Sequence, residues 1–292
     1  MPDLSNIFLI TDMDGTLLPE NKILSDRDKS AIKRFRKDGG KFTIATGRTL
    51  QSALKYIKEL EIDLPVILYN GSLIYDTHTD DVMFTDELPD CSKEIAAELF
   101  KFMENPGGEV LRLDNIYVVC NNEYEKEHTR ICQVEPAYAT LDSVPSGGWF
   151  KILFAAEPSQ ITKLGEYVKT RNFPVDFVRS HDIFIEMLPK GSSKGAALKE
   201  YIKLLNMENY TVIAAGDYNN DIEMLQFADF GTATANAQQD VKDIADITLK
   251  NSSDENAIAE LIDMIYSGDI KNKQDYNYTC LLYTSPSPRD LS

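Results

Sequence analysis

The chain has 292 residues, 43% of them hydrophobic, which is enough for one large core or two smaller ones. Its formal net charge of −17 and its pI of about 4.6 argue against nucleic acid and anionic membranes as partners, because like charges repel. The same charge repels phosphorylated ligands, so any phosphate site must bring its own cations.

The predicted elements at the start of the chain alternate between strand and helix. In order, we expect a buried strand at 6–12, a helix capped by Ser25 and ended by Gly39-Gly40, a strand at 42–46, a helix at 49–60 and a strand at 66–69. Asp28 lies in the capping-box position of the first helix. This rhythm is typical of a parallel sheet covered by helices.

The middle of the chain mixes helices and strands. The expected elements are a helix at 91–104, strands within 109–120, a strand at 149–155, a helix at 158–171, and strands at 175–178 and 182–188. The alternation then returns with helices at 193–206, 220–228, 238–245 and 254–267 and strands at 211–216, 230–233 and 246–249. We therefore predict a doubly wound, Rossmann-like α/β core at 1–82 and 188–270, with an α+β cap inserted at 83–187.

Features of the sequence also bear on its cellular location. The strand at 6–12 has no basic lead and no small-residue cleavage site, and no apolar run approaches membrane-spanning length. The cysteines lack metal-ligand spacing, which is typical of reduced thiols; they are Cys91, Cys120, Cys132 and Cys280. We therefore expect a cytoplasmic protein without a signal peptide. The sequence does not reveal its oligomeric state.

Residues 280–292 differ in character from the rest of the chain. The stretch from Cys280 to Asp290 has no amphipathic period and resembles the translation of a transposase-type sequencing adapter. We expect an adapter read-through artefact there that is no part of the predicted fold, with a natural disordered tail as the alternative. The natural C-terminus beyond about residue 279 is then undetermined.

Two acidic clusters close predicted strands of the core. Asp12 and Asp14 are two residues apart on extended chain and share one side, and two carboxylates that close resist joint ionisation unless a cation binds. Mg²⁺ prefers such oxygen ligands. In the second cluster Asp217 lies at a strand tip and Asp221 in the first turn of the next helix. An acidic turn and a plain N-cap are the structural alternatives, but each explains only part of its cluster.

Two further clusters suit a phosphoryl group. The Thr46 hydroxyl and nearby amides precede a helix, and Gly47 allows a ligand to approach the backbone closely. Lys194 lies in the first turn of a helix, where its charge opposes the helix dipole unless an anion binds between them. The alternatives are an ordinary threonine N-cap and a solvated lysine.

Taken in order, these clusters resemble the haloacid dehalogenase (HAD) superfamily over about residues 6–267. Its first motif is matched by Asp12-x-Asp14-Gly15-Thr16, the second by Thr46, the third by Lys194 and the fourth by Gly216-Asp217-x-x-Asn220-Asp221. The segments typical of the Cof-type subfamily, which has a large α/β cap, are Ala45-Thr46-Gly47-Arg48, Asn70-Gly71, Ala235-Asn236-Ala237 and Val241-Lys242.

The resemblance implies a Mg²⁺-dependent phosphatase that forms a phospho-aspartate. Asp12 would attack phosphorus, and Asp14 would protonate the leaving group and then deprotonate water. The Asp12 side chain, the Asp14 carbonyl and Asp217 would bind Mg²⁺. Thr46 and Lys194 would contact the phosphoryl group. Further phosphate contacts are implied for Gly15, Thr16, Gly47, Arg48, Asn70 and Gly71, and supporting contacts for Asn220 and Asp221.

The expected substrate is a small phosphorylated metabolite. Sugar phosphates lead, followed by pyridoxal or flavin phosphates. A phosphomutase or phosphotransferase using the same intermediate is the first alternative, and a non-catalytic ligand sensor is the second. Cationic cap residues that could steer an anion are Arg112, His128, Arg130, Arg179 and His181.

Overall fold

The computed structural model describes residues 3–270, so the predicted artefact at 280–292 lies outside the described residues. The chain divides into two compact units, residues 3–42 with 205–270, and residues 43–204. Among the described residues, no helix combines the length and the apolar character that crossing a bilayer requires.

The first unit is built on a sheet whose described strand pairs are parallel. Its strands are β1 (Ile7–Thr11), β12 (Thr211–Gly216), β13 (Phe230–Ala233) and β14 (Ile247–Thr248). The order is β14-β13-β12-β1, followed by β2 (Lys41–Ile44), on which the boundary between the units falls. β1 and β12 are buried along their whole length, as the apolar runs predict.

Within the described part of the first unit, four α-helices accompany this sheet. They are α1 (Asp26–Lys37), α7 (Ile222–Phe227), α8 (Gln239–Ile244) and α9 (Ala257–Ser267). Ser25 caps α1 by accepting a hydrogen bond from the Asp28 amide, as predicted. The buried Asp28 carboxylate also accepts a 2.7 Å hydrogen bond from the Ala259 amide, which links α1 to α9.

The second unit contains a six-stranded sheet in the order β10-β11-β9-β6-β7-β8. The strands are β6 (Gly107–Leu111), β7 (Ile116–Cys120), β8 (Ala137–Tyr138), β9 (Lys151–Ala155), β10 (Val175–His181) and β11 (Phe184–Pro189). All pairs are antiparallel except β7 with β8. Its core includes side chains from α3 (Ser92–Phe102) and α5 (Pro158–Lys169).

A smaller antiparallel sheet in the same unit consists of β3 (Val66–Leu68), β4 (Leu73–Asp76) and β5 (Asp81–Thr85). The other helices are α2 (Leu50–Glu59), α4 (Glu123–Cys132) and α6 (Lys194–Leu204). A 3₁₀ turn, Tyr69–Gly71, joins β3 to β4.

The predicted fold class is confirmed, since the chain combines an α/β unit on a parallel sheet with an additional antiparallel sheet. Most predicted elements form within two or three residues of their expected bounds. The cap boundaries at 83 and 187 stay a prediction. The two compact units divide the chain elsewhere, after residues 42 and 204, and do not test those boundaries.

Candidate active site

The carboxyl end of β1 positions Asp12. The register pairs Thr11 with Ala215 on the parallel strand β12, and the Asp12 amide continues the ladder with a 2.9 Å hydrogen bond to the Ala215 carbonyl. Asp12 is 5% exposed. Because parallel strands end at one edge of their sheet, the residues that follow β12 lie beside it.

The turn after β1 packs closely against the side chain of Asp217, the residue that follows β12. The Thr16 hydroxyl donates a 2.8 Å hydrogen bond to Asp217 Oδ1. Gly15 has φ +86°, and a Cβ atom there would lie 2.3 Å from Asp217 Oδ2. Glycine is therefore required at position 15 both for its backbone conformation and for the space that the carboxylate occupies.

Asp221 braces the loop that carries Asp217. Its Oδ2 accepts hydrogen bonds from the amides of Asp217, at 2.9 Å, and Tyr218, at 3.1 Å. Asp221 is fully buried in the 3₁₀ turn Asn219–Asp221, which also contains Asn220. A Cβ atom on Gly216 would lie 2.4 Å from Asp221 Cβ, so this glycine permits the close packing of the turn.

Three carboxylates converge as a result. Asp12, Asp217 and Asp221 each offer an oxygen, and these oxygens all lie within 4.8 Å of one another. Three carboxylates at this spacing resist joint ionisation in the absence of a cation. The all-oxygen donor set suits a hard divalent ion such as Mg²⁺.

Asp14 lies in the same turn but is more open to solvent. Its side chain is 37% exposed, and Oδ1 forms a 2.8 Å ion pair with the Lys22 ammonium. Lys22 has φ +59°, a left-handed conformation that lysine seldom adopts. The turn that follows β1 thus supplies a cation next to the second aspartate of the predicted pair.

Asn236 is a supporting residue whose role the sequence alone does not predict. Its Nδ2 donates a 2.8 Å hydrogen bond to the Gly15 carbonyl, and its Oδ1 accepts one of 2.9 Å from the Ser253 amide. Asn236 therefore ties the Asp14-Gly15 turn to the segment before α9. Its place in an Ala-Asn-Ala motif just after a strand is the signal from which a role could have been inferred.

In the second unit, the loop after β2 holds Thr46, Gly47 and Arg48. Thr46 Oγ1 accepts a 3.1 Å hydrogen bond from the Arg48 amide. The buried Arg48 guanidinium donates to the Ser52 hydroxyl at 2.9 Å and lies over the Tyr56 ring, 5.2 Å from its centroid. Arg48 is therefore anchored on the first two turns of α2.

The same unit brings Asn70, Gly71 and Lys194 to this loop. The backbone amide of Asn70 donates a 3.0 Å hydrogen bond to the Thr46 carbonyl. A Cβ atom on Gly71, where φ is +106°, would lie 2.2 Å from the Ser193 carbonyl oxygen, at the start of α6. Lys194 is the first residue of α6 and is 1% exposed, so it is a buried lysine and not a solvated one.

Most of the candidate cap cations have acidic neighbours. The ion pairs are Arg112–Asp114, His128–Glu109, Arg130–Glu127 and Arg179–Asp182. In each pair, the acidic side chain offsets part of the positive charge that could steer an anion. His128 in particular lies against the fully buried Glu109 in the core of the unit.

Comparison with known proteins places these residues in a family context. The sequence profile of the haloacid dehalogenase-like hydrolases matches residues 9–262. The chain is 28% identical over 266 residues to the putative phosphatase YxeH of Bacillus subtilis, covering 86% of this chain and 95% of the relative. It is 26% identical over 265 residues to the pyridoxal phosphate phosphatase YbhA of Escherichia coli, with the same two coverages.

A solved structure also shares the fold. That of the HAD subclass IIB sugar phosphatase BT4131 superposes with a TM-score of 0.77 at 23% identity, covering 90% of this chain and 100% of the other. At this identity the likeness concerns the fold alone.

Proposed function

The chain belongs to the haloacid dehalogenase-like hydrolases and is a phosphatase, and on this premise we propose that it hydrolyses small phosphate monoesters through a phospho-aspartate on Asp12, with Mg²⁺ as cofactor. The observation that carries the proposal is the convergence of the Asp12, Asp217 and Asp221 carboxylates within 4.8 Å of one another. Such a cluster combines a nucleophile with oxygen ligands for a cation.

We assign the Mg²⁺ ligands to the Asp12 and Asp217 side chains and the Asp14 carbonyl. The Asp221 carboxylate, which accepts two backbone hydrogen bonds, holds the Asp217 loop in place. When bound, the cation supplies positive charge that stabilises the phosphoryl group in the transition state.

Asp12 and Asp14 together carry out the two steps of the proposed reaction, the formation and the hydrolysis of the phospho-aspartate. An Asp12 carboxylate oxygen bonds to phosphorus while the bond from phosphorus to the ester oxygen breaks, and Asp14 gives its proton to that oxygen. Water then bonds to phosphorus and passes a proton to Asp14, and the bond between phosphorus and Asp12 breaks. The Lys22 ammonium, 2.8 Å from Asp14 Oδ1, holds this side chain in the turn.

The residues of the second unit keep their family roles in this proposal. Thr46 and Lys194 contact phosphoryl oxygens, and Gly47 and Gly71 allow close approach of the backbone. The predicted cap at 83–187 sets the choice of substrate. A cytoplasmic location agrees with the three described cysteines, which are all free thiols.

For the substrate we propose sugar phosphates first, then pyridoxal and flavin phosphates. A relative is named a pyridoxal phosphate phosphatase and a protein of the same fold a sugar phosphatase. Both names are those of phosphatases that act on small metabolites. Hydrolysis of such an ester requires no macromolecular partner.

The test is release of inorganic phosphate from a panel of these esters with Mg²⁺, using Asp12→Asn as the matched inactive protein. We expect release that EDTA abolishes, that excess Mg²⁺ restores and that the variant lacks. An isomeric sugar phosphate without free phosphate would indicate a phosphomutase. Inertness towards the whole panel would favour a ligand sensor, and either outcome overturns the proposal.

A further inference from the structure

We propose that Lys151 and Glu186 are positioning residues that hold the Thr46–Arg48 loop in its phosphate-binding conformation. The inference rests on the proposed function, since that loop is assigned to the phosphoryl group there. Both residues lie on strands of the six-stranded sheet, more than 100 positions along the chain from the loop.

The two side chains form a buried ion pair. Lys151 Nζ lies 2.9 Å from Glu186 Oε1, and the side chains are 3% and 6% exposed. Lys151 begins β9 and Glu186 lies within β11, which pairs with β9. Removing two charges from water is costly, and proteins with well-packed apolar replacements are often no less stable. Stability alone is therefore a weak reason for this pair.

Each member of the pair makes a further contact towards the loop. Lys151 Nζ donates to the Gly47 carbonyl at 3.2 Å, and Glu186 Oε2 accepts a hydrogen bond from Asn70 Nδ2 at 2.8 Å. Gly47 and Asn70 are both among the residues predicted to bind phosphate. A single ion pair thus contacts two predicted phosphate-binding segments that lie more than 20 residues apart.

The three carbonyls of the loop are all engaged. The Thr46 carbonyl accepts from the Asn70 amide at 3.0 Å, and the Arg48 carbonyl accepts from the Tyr69 amide at 3.1 Å. The Gly47 carbonyl between them accepts from Lys151. Lys151 therefore holds the central peptide group, to which these backbone contacts do not extend.

The orientation of the peptide group between Gly47 and Arg48 also affects the Thr46 hydroxyl. In a trans peptide the N–H points away from the C=O, so fixing the Gly47 carbonyl also fixes the Arg48 N–H. This N–H donates to Thr46 Oγ1 at 3.1 Å. Because the hydroxyl oxygen accepts there, its single proton is directed elsewhere and can be donated to a phosphoryl oxygen.

Glu186 has the complementary role on Asn70. Asn70 has φ +58°, a left-handed conformation, and a Cβ atom on Gly47 would lie 2.8 Å from Asn70 Oδ1. The carboxylate selects the orientation of the side-chain amide, with Nδ2 towards Glu186 and Oδ1 towards Gly47. A rotated or displaced Asn70 amide would press on the loop, since the packing there leaves little space.

The experiment compares the double variant Lys151→Met/Glu186→Leu with a matched control, Glu109→Leu/His128→Leu. The control removes the ion pair between Glu109 on β6 and the largely buried His128 on α4, at 2.9 Å, and within the described residues neither side chain has a hydrogen bond to the Thr46–Arg48 loop. Three quantities are measured: melting temperature, hydrogen exchange at the amides of residues 46–49, and kcat and KM for p-nitrophenyl phosphate.

In the Lys151/Glu186 variant we expect faster exchange at residues 46–49 and kcat/KM lower by about 10-fold or more, as for other misplaced catalytic groups. The control should keep both near wild type even if its melting temperature falls. Unchanged exchange, unchanged kcat/KM, or equal losses in the control would each overturn the inference.

Two further arms keep the outcomes separate. If wild type releases no phosphate, the proposed function fails, while the exchange comparison still decides whether the pair holds the loop. If the double variant does not fold, Glu186→Gln gives the same readouts, since it keeps the size of the side chain and removes its charge. We expect it to speed exchange at residues 46–49, and wild-type exchange would contradict the inference.

Discussion

Among single residues, the proposed mechanism gives Asp12 and Asp14 different tasks: Asp14 both releases and accepts a proton, while Asp12 acts as the nucleophile. Asp14 is partly exposed and paired with Lys22, whereas Asp12 is buried among carboxylates. The two aspartates of one motif therefore occupy different environments. This difference allows their substitutions to be told apart.

We expect Asp14→Asn to lower kcat by about 100-fold or more while the protein still binds Mg²⁺, because the amide cannot transfer the proton and the carbonyl ligand is unchanged. Stopped assays give kcat, and calorimetric titration with Mg²⁺ gives the affinity. A fully active variant would refute the acid–base role of Asp14.

Gly15→Ala tests the fit of the turn against Asp217. The added Cβ atom would lie 2.3 Å from Asp217 Oδ2 and would adopt φ +86°. We expect Mg²⁺ affinity and turnover to fall together as the carboxylate is displaced. Gly147→Ala is the matched control, because Gly147 has φ +75° with open space around it, and backbone strain there costs about 1 kcal/mol. Equal effects of the two changes on Mg²⁺ affinity would contradict the account.

At the scale of elements, the apolar runs located the buried strands well. β1 and β12 are continuous apolar segments, so their positions and their polar ends could be predicted from the sequence. The sequence does not predict β4, β5, α4 or β8. β5 is largely exposed and α4 begins with acidic residues and has only two buried positions, so neither shows the hydrophobic pattern on which such predictions depend.

The ion pair between Glu109 on β6 and His128 on α4 leads to a prediction about how stability depends on pH. Burial alone would lower the pKa of the His128 imidazole, but the Glu109 carboxylate and the Cys132 sulfur next to it raise this pKa well above 6.5. The folded protein therefore binds a proton that the unfolded chain releases. The resulting stabilisation is fully present below about pH 6.5 and is lost as pH rises through the raised pKa.

We thus expect the free energy of unfolding to decrease from neutral to alkaline pH, and this slope to be smaller in His128→Gln. Burial also raises the pKa of Glu125, which acts in the same direction, so the difference between the two proteins isolates the imidazole. Urea titrations over a series of pH values provide the measurement. Parallel profiles for wild type and variant would show that His128 does not carry the effect.

For the molecule as a whole, the net charge of −17 predicts that nucleic acid and anionic membranes are poor partners, but it does not predict which buried ion pairs form. Lys151 at the start of β9 and Glu186 within β11 are the only charged residues of these two apolar strands, and that anomaly is visible in the sequence. Their contact is not, because it joins positions far apart in the chain. The order of the motifs implies the family, whereas the hydrogen bonds of Asn236 to the Gly15 turn and of Asp221 to the Asp217 loop are seen only in the structure.

The cation should stabilise the folded chain as a whole, since it relieves repulsion among Asp12, Asp217 and Asp221. At a concentration 100 times its dissociation constant, a ligand adds about 2.7 kcal/mol to the free energy of unfolding. We expect Mg²⁺ to raise the melting temperature and Asp217→Asn to remove most of this rise. NaCl at matched ionic strength controls for general screening of the net charge, and an equal rise with NaCl would contradict a specific site.

Transfer of the phosphoryl group to Asp12 can be tested by acid-quenching the enzyme during turnover and locating the bound phosphate by peptide mass spectrometry. With Mg²⁺ and a hydrolysable ester, we predict a phosphorylated peptide that contains Asp12, absent after EDTA treatment and absent from Asp12→Asn. Phosphate on a different residue, or turnover by the Asp12→Asn protein, would contradict the account.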